Sequence, residues 1–78
     1  MSVILSAYHR TEEVTQDGRK FVAKVQILSD RLGDLVDTRI RDDDHLFATR
    51  EEAVRREVQL AAKWQHKHAP DAAIRFRN

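Results

Sequence analysis

The chain has 78 residues, with 14 Lys/Arg, 13 Asp/Glu and no cysteine. It therefore has room for one core, and disulfides, thiolate metal sites and thiol nucleophiles are excluded. The near-balanced charge favours neither nucleic acid nor an acidic surface as a partner, and no apolar run approaches the ~20 residues of a membrane span.

Val3-Ile4-Leu5 is too short for a signal segment and has no basic residues before it, so the expected location is the cytoplasm. A domain this small buries only about 60 % of its unfolded surface, which leaves its stability narrow. Charge is spread unevenly. Residues 1–49 hold seven Lys/Arg against nine Asp/Glu, and residues 50–78 hold seven against four.

Three strands are expected before residue 45. Asp17-Gly18 is a two-residue hairpin signal, because a type I′ turn requires positive φ at both central positions. Asp30-Arg31-Leu32-Gly33 reads as a four-residue loop. Between them Phe21, Ala23, Val25 and Ile27 alternate with Val22, Lys24 and Gln26, the period of a half-buried strand. Closing the hairpins at these turns pairs Val14 with Phe21 and Tyr8 with Ile27. It also pairs Val36 with Ile27, Thr38 with Val25 and Ile40 with Ala23. Arg10 and Glu12 interrupt the first strand's pattern, and a bulge or fraying is expected there.

On the reverse face this register gathers Leu5, Ala7, Leu28 and Leu35 into a small apolar corner. The corner is either an ordinary solvated face with stray apolar residues or a contact surface for a second copy or another protein.

The strand pattern stops at Phe47-Ala48-Thr49-Arg50-Glu51-Glu52-Ala53. Thr49 and Glu52 form a capping box, in which each side chain satisfies an otherwise unpaired amide at a helix start. A helix is expected from there to Ala69, where Pro70 disfavours a helical predecessor. At about 100° per residue, an apolar arc runs from Leu60 through Trp64, Ala61, Val54 and Val58 to Ala62. Glu57 lies inside that arc, so its carboxylate must reach an edge or find hydrogen bonds. His68 is nearly three turns further along and too far to be its partner.

The outer face carries Arg55, Arg56, Lys63, His66 and Lys67. Glu51→Arg55 and Glu52→Arg56 have the spacing of favourable helix ion pairs. The tail from Asp71 to Asn78 alternates Ile74 and Phe76 with Arg75 and Arg77, and either adds a short fourth strand, docks beside the helix or stays loose. The expected organisation is one domain over 1–70 and a partly ordered tail over 71–78.

Catalytic chemistry is not evident. His66 and His68 are two apart on a helix and point to opposite sides. Asp42-Asp43-Asp44-His45 lacks the glycine and the bidentate glutamate of a calcium loop. Gly18 and Gly33 are both taken by turns, leaving none for a phosphate loop. Ser2, Ser6 and Ser29 lack a nucleophile's context. No catalytic residue, cofactor or metal is expected.

Tyr8, the Phe47–Ala53 helix-opening segment and Trp64 together resemble a group of short bacterial proteins of unknown function. The resemblance covers about residues 8–66, implies a β-β-β-α fold, and brings no activity with it. This chain departs from the group in its longer basic tail and in the residues that follow Trp64. Double-stranded-RNA-binding domains share the strand order but open with a helix that this chain lacks. Glu51 and Glu52 also stand where such domains carry lysines.

The expected fold is thus α+β, a three-stranded antiparallel meander with one C-terminal helix packed on one face. The expected role is an interaction or regulatory module that self-associates through Leu5, Ala7, Leu28 and Leu35. The alternative is weak nucleic-acid binding through Arg55, Arg56, Lys63, Lys67, Arg75 and Arg77, with no membrane partner in either case.

Overall fold

In a computed structural model that describes residues 3–14, 20–31 and 34–77, the elements follow in chain order as β1 (Ile4–His9), β2 (Glu12–Val14), β3 (Lys20–Val22), β4 (Lys24–Arg31), β5 (Asp34–Arg41), α1 (Arg50–His68) and β6 (Ala73–Arg77). Strands β5-β4-β1-β6 form one mixed sheet, antiparallel except for the β1–β6 pair. Strands β2 and β3 form a separate two-stranded ladder. The fold is α+β as expected, but the simple meander is modified twice. The tail adds β6 in parallel beside β1, and the first hairpin is broken between β1 and β2 and again between β3 and β4.

The register of the second hairpin is two residues from expectation. Val25 pairs with Ile40 and Ile27 with Thr38. The cause is that Asp30 pairs with Leu35 and Arg31 with Asp34, so both belong to the ladder and not to a loop. A shift of two preserves which face each residue occupies. Leu32 and Gly33 of that expected loop lie outside the described residues.

The first hairpin differs by one residue, which exchanges the faces. Ala7 pairs with Ile27, Glu13 with Phe21 and Val14 with Lys20. The Asp17-Gly18 turn lies outside the described residues, and the pairing leaves residues 15–19 between the strands. Leu5 and Ala7 consequently face the helix and are buried with Val25, Ile27 and Ala61. Tyr8 turns to the reverse face.

The apolar corner therefore does not form. Leu28 lies on the reverse face between Ser6 and Asp37. The backbone of Leu35 pairs with Asp30, and its side chain lies outside those described.

The helix opens at the expected cap, with the Glu52 amide donating to Thr49 Oγ1 at 3.2 Å and Glu51 and Glu52 in the first turn; the reciprocal bond of the capping box, from the Thr49 amide to the Glu52 side chain, does not form. It buries Ala53, Glu57 and Ala61, with Leu60 and Trp64 half-buried beside them. Val58 and Ala62, expected inside the apolar arc, are exposed. The buried residues Ala53, Glu57 and Ala61 follow one i, i+4, i+8 line, a stripe narrower than the arc. Burying Val25 and Ile27 contributes roughly 1.5–3 kcal/mol each. Ile74 and Phe76 of β6 pack on the same core.

Candidate nucleic-acid interface and the buried acid behind it

Glu57 is fully buried at the point where the first hairpin breaks. Its Oε1 lies 2.7 Å from His9 Nδ1. Its Oε2 accepts from Thr11 Oγ1 at 2.6 Å and from the Lys24 backbone amide at 2.9 Å. The acid neither snorkels nor stands unpaired, because His9 of β1, Thr11 of the β1–β2 break and the Lys24 amide of β4 converge on it. Two irregularities of the sequence, the polar interruption of strand one and the acid in the apolar arc, are one feature in space. The signal for it was the alternation Leu5-Ala7-His9, which puts His9 on the helix side once the register moves by one.

Among the described residues, no element packs on the reverse face of the sheet. Its pairing sets out three rows: Arg75, Ser6, Leu28 and Asp37; then Arg77, Tyr8, Gln26 and Arg39; then Arg10, Lys24 and Arg41. Six cations thus surround Tyr8 and Gln26. The Arg10 guanidinium lies over the Tyr8 ring, 5.0 Å from its centroid, and its Nε donates to Gln26 Oε1 at 3.1 Å. Gln26 Nε2 donates to Asp37 Oδ1 at 3.0 Å, and Arg77 Nε donates to Ser6 Oγ at 3.2 Å. Arg41 is tied to Asp43 and, at 2.9 Å, to Glu12. Those two carboxylates, Asp43 first, hold its guanidinium's pKa above the ordinary value. A shallow depression of about 460 Å³ runs between Arg10, Lys24, Gln26, Arg39 and Arg41.

The cations singled out from the sequence separate into two groups. Arg75 and Arg77 belong to this open sheet face. Arg55, Lys63 and Lys67 are exposed on α1, on the other side of the sheet. Arg56 is not free, since its Nε donates to the buried Asp42 Oδ2 at 2.7 Å and its Nη1 to Gln59 Oε1 at 3.1 Å. The expected Glu52→Arg56 pair gives way to this clamp between α1 and the end of β5. The Arg56 guanidinium, supported by His45 and the Asp44 amide, holds the Asp42 carboxyl below its usual pKa against the opposing effect of burial.

Arg10, Lys24, Arg39 and Arg41 were missed as a group because their rows depend on the register of three strands. Among the described residues, no three or more His, Cys, Asp or Glu side chains gather to hold a metal, and no helix is long and apolar enough to cross a membrane. Comparison with known protein families, characterised proteins and solved structures finds no match.

Proposed function

We propose that this chain is a non-catalytic interaction module of the cytoplasm that binds single-stranded nucleic acid across the open face of its sheet. The observation that carries the reading is the set of six cations arrayed around Tyr8 on the face that α1 leaves uncovered. Backbone positions on neighbouring strands stand about 4.8 Å apart, and alternate residues along a strand about 6.7 Å apart. An extended phosphate backbone lying on such a lattice meets several of these cations at once.

A single strand fits this surface better than a duplex. Reading a major groove requires a protruding helix or ribbon, and here the helix lies behind the sheet with acidic residues in its first turn. A sheet face with an aromatic among cations instead offers stacking and backbone neutralisation, both tolerant of sequence. The Arg10 guanidinium over Tyr8 is itself a flat platform for a base. Self-association remains a property of the module to be measured, but the surface expected for it is dismantled by the burial of Leu5 and Ala7.

The test is fluorescence anisotropy with labelled oligo(U), oligo(dT) and a duplex of equal length. Binding of the single strands at least ten-fold tighter than the duplex, lost when Arg10 and Arg39 are both changed to Gln, is the expected result. A folded protein that binds none of them, or one whose affinity is unchanged in Arg10→Gln/Arg39→Gln, overturns the reading.

A further inference from the structure

The helix side of the sheet carries a second site. A cleft of about 440 Å³ opens between the end of β1, β6 and the first turns of α1, lined by His9, Thr11, Arg50, Val54 and Phe76. Its volume falls within the roughly 300–1,000 Å³ of small-molecule sites.

His9 is held from two sides. Its Nδ1 lies 2.7 Å from Glu57 Oε1, and the Phe76 ring stacks on it at 5.0 Å with 16° between the planes. Facing a carboxylate, which only accepts hydrogen bonds, Nδ1 carries the shared proton. Nε2 has no partner among the described residues, and no described buried side-chain nitrogen or oxygen lacks one. The ring is partly exposed and lines the cleft.

The rest of the lining divides its chemistry clearly. Thr11 has committed its proton to Glu57, which leaves its oxygen lone pairs as acceptors. Arg50 is the one fixed charge among the five side chains, and its guanidinium is steadied over the Phe21 ring at 5.1 Å. Val54 and Phe76 supply apolar wall. The cleft thus offers a cation for an anionic group, oriented acceptors for a hydroxyl, and a surface for a short carbon frame.

We infer that this cleft binds a small hydroxylated phosphate monoester of the sugar-phosphate class, with Arg50 on the phosphate and His9 Nε2 accepting from a hydroxyl. Arg50 forms charge-assisted bonds to phosphate oxygens, which are the stronger kind. The His9 ring needs no reordering on binding, because Glu57 and Phe76 already hold it. The site is independent of the nucleic-acid reading, since it lies on the opposite side of the sheet from Arg10 and Arg39.

The test follows the imidazole carbon–proton signals of the full-length protein by NMR at pH 8, where an ordinary imidazole is neutral. The probes are ribose 5-phosphate, ribose, inorganic phosphate and a 5′-phosphorylated ribodinucleotide. Saturable movement of the His9 signals by ribose 5-phosphate, with ribose and phosphate each at least ten-fold weaker, is expected. Arg50→Gln should weaken the sugar phosphate at least ten-fold, and Arg39→Gln on the other face should leave it unchanged. Unmoved His9 signals, or inorganic phosphate binding as well as ribose 5-phosphate, overturns the assignment. A ribodinucleotide that binds more tightly through Arg50 than the sugar phosphate does overturns it in favour of a nucleic-acid end.

Discussion

The Lys24 amide donates to Glu57 Oε2 at 2.9 Å, while the Lys24 carbonyl accepts from the Arg10 amide at 2.9 Å. In a regular antiparallel ladder both bonds of such a pair run between the two strands. Here a helix side chain replaces one strand's acceptor. The strands separate at that point, β1 stops, and the displaced Thr11 turns its hydroxyl to the same carboxylate. Glu57 thus pins α1 to the sheet through a break that it fills itself.

Removing the carboxylate leaves the Lys24 amide, the Thr11 hydroxyl and His9 Nδ1 facing an apolar void. Glu57→Ala should therefore destabilise the fold by about 3–5 kcal/mol, the range for breaking a buried charged network on one side. Glu57→Gln keeps an acceptor for the Lys24 amide and the Thr11 hydroxyl, and a change of His9 tautomer accommodates the new amide. Its loss should be nearer 1 kcal/mol. Urea unfolding followed by Trp64 fluorescence measures both. An alanine variant within 0.5 kcal/mol of the parent would mean that the network does not hold the helix in place.

The Asp42–Arg56 clamp makes an acid-side prediction. Asp42 has its pKa lowered in the folded state from an ordinary 3.8, chiefly by the Arg56 hydrogen bond. Its ionised form therefore stabilises the fold fully above about pH 4, and that contribution fades as pH falls through the lowered folded value. Asp42→Asn should be less stable than the parent at pH 7, and the gap should narrow progressively as pH falls below the ordinary 3.8. A gap that stays constant from pH 7 to pH 3 would remove the ionised clamp as its source.

Local signals in the sequence proved legible, and pairings between distant segments did not. The Thr49 cap and the end of α1 before Pro70 depend on neighbours within four residues, and both are readable. Whether Leu5 and Ala7 or Tyr8 faces the helix depends on a single residue's shift between β1 and β4. Both alternatives bury apolar side chains against Ile27, so hydrophobic alternation alone does not separate them. What separates them is His9, which reaches Glu57 only in the observed register, and that contact spans 48 residues. The open cationic face inherits the same dependence. Arg10 and Tyr8 join Lys24 and Arg39 on that face only once the β1 register moves by one residue.

Salt dependence distinguishes the sheet face from the helix face as the nucleic-acid surface. Single strands release counterions with a slope of about −0.7 per phosphate neutralised. Arg41 is held by two carboxylates and Arg39 Nε lies 3.8 Å from Asp37 Oδ1, so four or five of the six cations remain for phosphate, and a slope near −3 is expected. Arg10→Gln/Arg39→Gln should flatten it by roughly one to one and a half. Lys63→Glu/Lys67→Glu should leave both slope and midpoint unchanged at moderate salt. If the lysine pair on α1 alone flattens the slope, the strand lies on the helix and the sheet face is ordinary solvated surface.

The tail is the last element whose role the geometry makes measurable. Strand β6 pairs in parallel with β1 from Ile4 to Tyr8, a partner about 70 residues away in sequence. Such pairing carries no turn signal of its own, since all of β2 to β5 and α1 lie between the two strands in sequence. The alternation of Ile74 and Phe76 with Arg75 and Arg77 nonetheless divides the strand between the two faces. Ile74 and Phe76 cover Leu5 and Ala7 in the core, and the arginines stand on the open side. Phe76→Ala should cost about 2–3 kcal/mol, below the full 3–5 of a buried phenylalanine because its ring is only half-buried. Deleting residues 73–78 strips both apolar side chains from the core and leaves the amide and carbonyl groups of β1 without their partner strand. In a domain this small that loss should abolish a cooperative thermal transition. Calorimetry of the two variants decides the matter: a deletion that melts cooperatively within about 1 kcal/mol of the parent would show that β6 is an ornament on a self-sufficient three-stranded sheet.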